Sequence, residues 1–276
     1  MRIEKESDGI HFYRFTKEQE LLYKQRRELS YSRTFHTAGI RLSFCTNSET
    51  LCLKGNVLFS SCRGYYSLDV FVNGKPLGYI DNFSHEKLEK FYATAQFPFN
   101  PFEQSFALGT GEKTVCIYLP WSAITVIEEI LVDDKAFVSP IKPEKTLLAF
   151  GDSITHGYDA LRPSMRYPSK VCDALGAAEY NKAIGGEMFF PALGEAGDTL
   201  EPDYITVAYG TNDWANLARE ELKENCNAFY ANLARKYPAA RIFAMTPIWR
   251  ENAETVTAAG AFMDVSKIIC AAVKVS

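Results

Sequence analysis

The run Leu147-Leu148-Ala149-Phe150-Gly151-Asp152-Ser153-Ile154-Thr155-His156-Gly157 sets four uncharged apolar residues before Gly-Asp-Ser. The apolar half reads as a buried strand, and Gly-Asp-Ser breaks it at the carboxyl end, where an open α/β sheet keeps its site. A serine on a sharp turn into a helix exposes its hydroxyl and turns its own N–H to the same space. That suits a nucleophile with an oxyanion donor beside it. A serine that merely caps a helix has the same local sequence. Two later stretches bear on the choice, Asn181-Lys182-Ala183-Ile184-Gly185-Gly186 and Ala208-Tyr209-Gly210-Thr211-Asn212-Asp213.

In this order the three stretches resemble three of the four sequence blocks of the SGNH (GDSL-type) hydrolases. The resemblance implies that Ser153 attacks an acyl carbon while its own N–H, the N–H of Gly186 and the side-chain amide of Asn212 hold the oxyanion. An absent side chain at Gly186 lets carbonyl and backbone approach closely. Gly185 is the alternative, and the spacing from Asn181 in the family pattern favours Gly186. A neutral amide at Asn212 donates without a competing charge, and such a donor contributes roughly 2.7–4 kcal/mol in the transition state. Standing alone, Asn212 would read as a helix cap or Asx-turn.

Gly151, Asp152, Gly210 and Asp213 support the turns, and in the family the aspartates organise them by hydrogen bonding. The competing use of two carboxylates, flanking a glycosidic bond, ranks below it. The motif lacks the glycine two residues after serine of the G-x-S-x-G elbow, which argues against the α/β-hydrolase fold. The family's fourth block, Asp-x-x-His near the C-terminus, supplies the general base, and here the last histidine is His156. That residue is a poor base, because its ring would have to meet the serine hydroxyl across one helical turn with no group to orient it. It is expected at the pocket rim or in solvent. His11, His36 and His85 read as surface or partly packed histidines. Tyr158, Trp214 and Trp249 could wall an acyl or sugar pocket, or pack in the core or rim.

The elements that must position these residues follow from periodicity. Residues 1–30 show little period apart from Thr16-Lys17-Glu18-Gln19, a capping box for one short helix. Residues 37–138 carry short alternating runs separated by turn signals, the texture of a sandwich. Asn73-Gly74 marks a tight hairpin turn, with Pro76 favouring an edge strand. Residues 109–114 imitate a phosphate loop, but Glu112 stands where the P-loop needs glycine, so they read as a hairpin turn. The polar stretch with Pro140 and Pro143 marks a connector. Beyond it strands near residues 146–150, 178–181, 204–209 and 241–245 alternate with helices. The helix from Pro168 ends at Gly176. Leu222, Cys226, Phe229, Leu233 and Tyr237 stripe another, and Phe262, Val265, Ile269 and Val273 a last one. No strand follows. The edge of the fourth strand or its neighbour is thus expected to be uncovered.

The expected architecture is therefore a jelly-roll-like β-sandwich over residues 1–140 and an α/β, flavodoxin-like SGNH domain with a parallel sheet over residues 141–276, truncated before the family's last strand and histidine. The β-rich front resembles that of the two-domain carbohydrate esterases of the superfamily. This implies removal of acetyl or other short acyl groups from a carbohydrate, with no metal or organic cofactor, and near inactivity of these residues without the missing histidine. The rival is a non-catalytic protein that binds sugar or acyl ligands in a vestigial pocket.

Composition agrees with a soluble globular chain. The 276 residues are 47% hydrophobic and 23% charged, with a formal net charge of −4. No run reaches the roughly 18 apolar residues of a membrane span, and no secretory signal is visible, so a cytoplasmic protein is expected. Lys24-Gln25-Arg26-Arg27 is flanked by Glu20 and Glu28, which disfavours nucleic acid as partner. Seven scattered cysteines suggest neither disulfides nor zinc.

Overall fold

The computed structural model describes residues 1–275. The chain begins with a hairpin of β1 (Arg2–Glu6) and β2 (Gly9–Tyr13), followed by helices α1 (Lys17–Arg26) and α2 (Glu28–Thr34). The capping box is present at α1: Thr16 accepts from Gln19 N–H, and the Gln19 side chain accepts from Thr16 N–H. The hairpin was not expected, because its strands do not alternate cleanly.

The sandwich comprises β3 (Arg41–Thr46), β4 (Thr50–Phe59), β5 (Ser67–Val72), β6 (Lys75–Asp81), the helix α3 (His85–Phe91), β7 (Pro101–Ala107), β8 (Lys113–Tyr118), β9 (Ala123–Val132) and β10 (Val138–Pro140). Its two antiparallel sheets have the orders β1-β2-β9-β4-β7 and β10-β3-β8-β5-β6. Leu51, Leu53, Val57, Leu68, Val70, Val115 and Ile117 fill the space between them with 0% exposure. Each such side chain contributes roughly 1.5–3 kcal/mol. Asn73 and Gly74 both have positive φ, 50° and 75°, as the tight turn between β5 and β6 requires. Pro76 lies on the edge strand β6. Residues 109–114, read above as a hairpin turn, instead belong to the link that carries the chain from β7 in one sheet to β8 in the other and to the start of β8.

The second half contains β11 (Lys145–Gly151), α4 (Ser153–His156), α5 (Tyr167–Leu175), β12 (Ala177–Asn181), α6 (Pro191–Glu195), β13 (Tyr204–Ala208), α7 (Thr211–Asn216), α8 (Arg219–Lys236), β14 (Arg241–Ala244) and α9 (Phe262–Val275). The four strands are parallel in the order β12-β11-β13-β14. Alternation along them sends Leu148, Phe150, Ile205 and Val207 to one face, where α8 and α9 cover them. Leu147 and Ala149 face the other way, towards Cys172 of α5. Among the described residues no strand pairs with the outer side of β14, whose Phe243 is 51% exposed.

The N-terminal helices belong to the core of this half. Phe15 and Tyr23 are fully buried in it, and Arg14 is a buried stitch between the N-terminal segment and the end of β12. Its guanidinium donates to Asn181 O at 2.8 Å, Ala183 O at 3.1 Å, His36 O at 2.6 Å and Arg33 O at 2.9 Å. Among the described residues no helix is long and apolar enough to cross a membrane.

Candidate functional site

Strand β11 lies between β12 and β13, so the turns that leave their carboxyl ends meet along one edge of the sheet. They are tied together by hydrogen bonds. Ile184 N–H donates to Gly151 O at 3.1 Å, joining the second turn to the first. Asn212 Nδ2 donates to Glu187 O at 2.9 Å and lies 3.5 Å from Asp152 Oδ2, joining the third turn to both. The three stretches singled out by sequence thus form one site.

Ser153 opens α4 on this edge and is half-buried. Asp152 caps the helix, accepting Ile154 N–H at 3.0 Å, so the serine does not. The Ser153 hydroxyl makes no hydrogen bond among the described residues. Burial pushes the Asp152 carboxyl up to about 6 against the opposing pull of backbone N–H groups. Asp213 is fully buried and accepts Phe189 N–H at 2.9 Å and Gly210 N–H at 3.0 Å. Its pKa is raised to about 7, chiefly by burial. Both aspartates organise turns.

Two amides of the loop between β12 and α6, those of Gly186 and Phe190, have no hydrogen-bond partner among the described residues. The N–H groups of Lys182, Ala183, Ile184 and Gly185 are all bonded, to Ala149 O, Asn181 Oδ1, Gly151 O and His156 Nδ1. So are those of Glu187, Met188 and Phe189. Of the two residues with open amides, Gly186 is exposed and Phe190 half-buried. The Gly186 φ of +81° is one that L side chains rarely adopt. Gly185 is required for a different reason, since a Cβ there would lie 2.5 Å from the Tyr158 ring. Of the two glycines, Gly186 is the one able to donate outward.

An apolar cavity of about 310 Å³ opens beside the serine, lined by Asp152, Ile154, Tyr167, Tyr209, Met245 and Ile248, among others. Four expected pocket residues lie elsewhere. His156, expected at the rim or in solvent, is fully buried against the sandwich: Nε2 lies 3.1 Å from Trp121 O and 3.2 Å from His36 Nδ1. Burial, with Arg14 and His36 nearby, holds its pKa well below the usual histidine value. His36 is buried too and likewise held neutral. Trp214 is 1% exposed, packs on Phe262 and donates to Gly260 O at 3.1 Å. Tyr158 packs against Trp121 with its ring tilted by 41° and lies against Gly185. Trp249 is exposed and outside the cavity lining. The remaining histidines are remote, His11 beside Asp8 in the first hairpin and His85 at the start of α3.

Residues 149–273 match the model of the GDSL-like Lipase/Acylhydrolase family, so the resemblance carried by the three turns extends over most of the parallel-sheet region. The match supports an ester hydrolase in the broad sense. The chain is similar in fold to the salicylyl-acyltransferase SsfX3 of a tetracycline biosynthetic pathway (17% identity, 99% of this chain, 76% of the other, TM-score 0.82). It is also similar to a GDSL-like lipase of Bacteroides ovatus (20%, 92%, 75%, TM-score 0.71). A third similar structure is a family two carbohydrate esterase of Clostridium thermocellum (13%, 87%, 78%, TM-score 0.63). No curated protein sequence matches the chain.

Proposed function

We propose that this protein is a serine acyl-ester hydrolase that removes short acyl groups, foremost acetyl, from a carbohydrate. The observation that carries the reading is the exposed, unpartnered Gly186 N–H on a loop bonded to the turn of an unpartnered Ser153 hydroxyl. Ser153 Oγ attacks the acyl carbon. The oxyanion then takes the N–H groups of Ser153 and Gly186 and the Asn212 amide hydrogen that Asp152 holds only at 3.5 Å. The apolar cavity flanking Ser153 receives the acyl group. The similar carbohydrate esterase supports a saccharide as the alcohol.

The serine proton must pass to a base that returns it to the leaving alcohol. None of the four histidines of the sequence hydrogen bonds Ser153 in the described structure. These residues by themselves therefore keep only about 10³–10⁴-fold over the uncatalysed reaction. That same observation favours the second reading, a binding protein that holds an acyl or sugar ligand without turnover.

Intact-mass measurement after exposure to a fluorophosphonate decides between them. In the hydrolase, Ser153 is labelled slowly, added imidazole accelerates the labelling, and Ser153→Ala abolishes it. Labelling that is absent with and without imidazole, in protein shown to be folded, supports the binding protein instead.

A further inference from the structure

A residue of the N-terminal segment bonds the peptide that carries Gly186 N–H. Arg33, on α2, donates from Nη1 to Gly185 O at 2.5 Å and from Nε to Ser61 O at 2.8 Å. Its guanidinium lies over the Tyr158 ring, 5.7 Å from the centroid. The carbonyl of Gly185 and the N–H of Gly186 belong to one planar trans peptide and point in opposite directions. A bond that holds the oxygen on one side therefore holds the N–H on the other.

We propose that Arg33 is a positioning residue for the Gly186 oxyanion donor, an inference that rests on the hydrolase reading above. Two consecutive glycines give this peptide unusual freedom to rotate. Were it to turn over, the Gly185 carbonyl would take the place of the donor and repel the oxyanion. His156 Nδ1 holds Gly185 N–H at 3.1 Å, which fixes the preceding peptide, and Arg33 holds Gly185 O, which opposes the turn-over itself. The second is charge-assisted and polarises the amide it binds, which makes the Gly186 N–H a stronger donor. Arg33 reaches no reacting atom. It is itself anchored, since its own carbonyl accepts from Arg14 at 2.9 Å. The helical segment before the sandwich is thus part of the site's machinery.

The test compares Arg33→Met and Arg33→Lys with the unsubstituted protein in two measurements: the fluorophosphonate labelling rate at Ser153 and the thermal midpoint. Arg33→Met is expected to slow labelling about 10–100-fold, part of the 10²–10³ that losing an oxyanion donor costs. Lysine, which keeps the charge, should restore part of the rate. If Arg33→Met does not fold, Arg33→Gln takes its place, with a smaller slowing expected. Labelling at Ser153 at an unchanged rate in the folded neutral variant overturns the positioning role and leaves the hydrolase reading intact. No labelling of the unsubstituted protein at Ser153 overturns both.

Discussion

His156 accepts the N–H of Gly185 on Nδ1 at 3.1 Å, so its proton sits on Nε2, facing Trp121 O and His36. Only three residues from Ser153, it has both nitrogens committed to holding the neighbouring loop and the sandwich. Its structural role follows from those bonds, and so does its neutral state. His36 then accepts on Nδ1 and is left with an unpartnered Nε2 in the interior.

These two histidines predict an acid-labile interior. Burial, the largest cause, lowers both pKa values well below the usual 6.5, with Arg14 adding repulsion. The unfolded chain takes up these protons near 6.5 and the folded one does not. Stability is therefore present above that pH and lost as the pH falls through it. Urea unfolding at pH 8 and pH 5 should show the loss. His156→Leu should reduce it while lowering stability at pH 8, and an undiminished loss in the variant refutes the assignment.

Asp213 predicts the opposite slope. Its folded pKa is raised from 3.8 to about 7, so the folded state retains a proton that the unfolded state releases. Its contribution is fully present below about 4 and lost as the pH rises towards about 7. The difference in unfolding free energy between the unsubstituted protein and Asp213→Asn should thus shrink with pH across this window. A constant or growing difference is the adverse result.

Lys182 ties the N-terminal segment to the loop of the site. Its ammonium donates to Arg14 O at 2.5 Å and Gln19 Oε1 at 2.8 Å, and pairs with Asp198 at 3.2 Å. Burial brings its pKa down to about 8 despite Asp198. Lys182→Met leaves the mostly buried Asp198 carboxylate without its cation and the Arg14 carbonyl without this donor, and should lower stability by about 3–5 kcal/mol. A denaturation midpoint close to that of the unsubstituted protein counts against a buried tether.

Asn212→Ala should slow the Ser153 reaction by about 10²–10³, the loss expected for one oxyanion donor. It also removes the bond to Glu187 O, so folding must be verified alongside. Labelling at an unaltered rate would assign Asn212 to turn structure alone.

The strands of the parallel sheet and the turns at their carboxyl ends were legible in the sequence, because buried strands are apolar runs and the turns need Gly, Asp and Asn where they stand. The Thr16–Gln19 cap and the Asn73-Gly74 turn were legible for the same reason: each is decided within four residues. Tertiary structure alone decided what depends on distant partners. Arg33 reaches Gly185 across 152 positions, His36 meets His156 across 120, and Arg14 meets Asn181 across 167. No local period records such pairs. The link from residues 108–112 also became a passage between sheets only once β7 and β8 had chosen different neighbours. Local backbone preference fixes a turn or a cap within a few residues, whereas burial of an arginine or a histidine is set by whatever the rest of the chain packs around it.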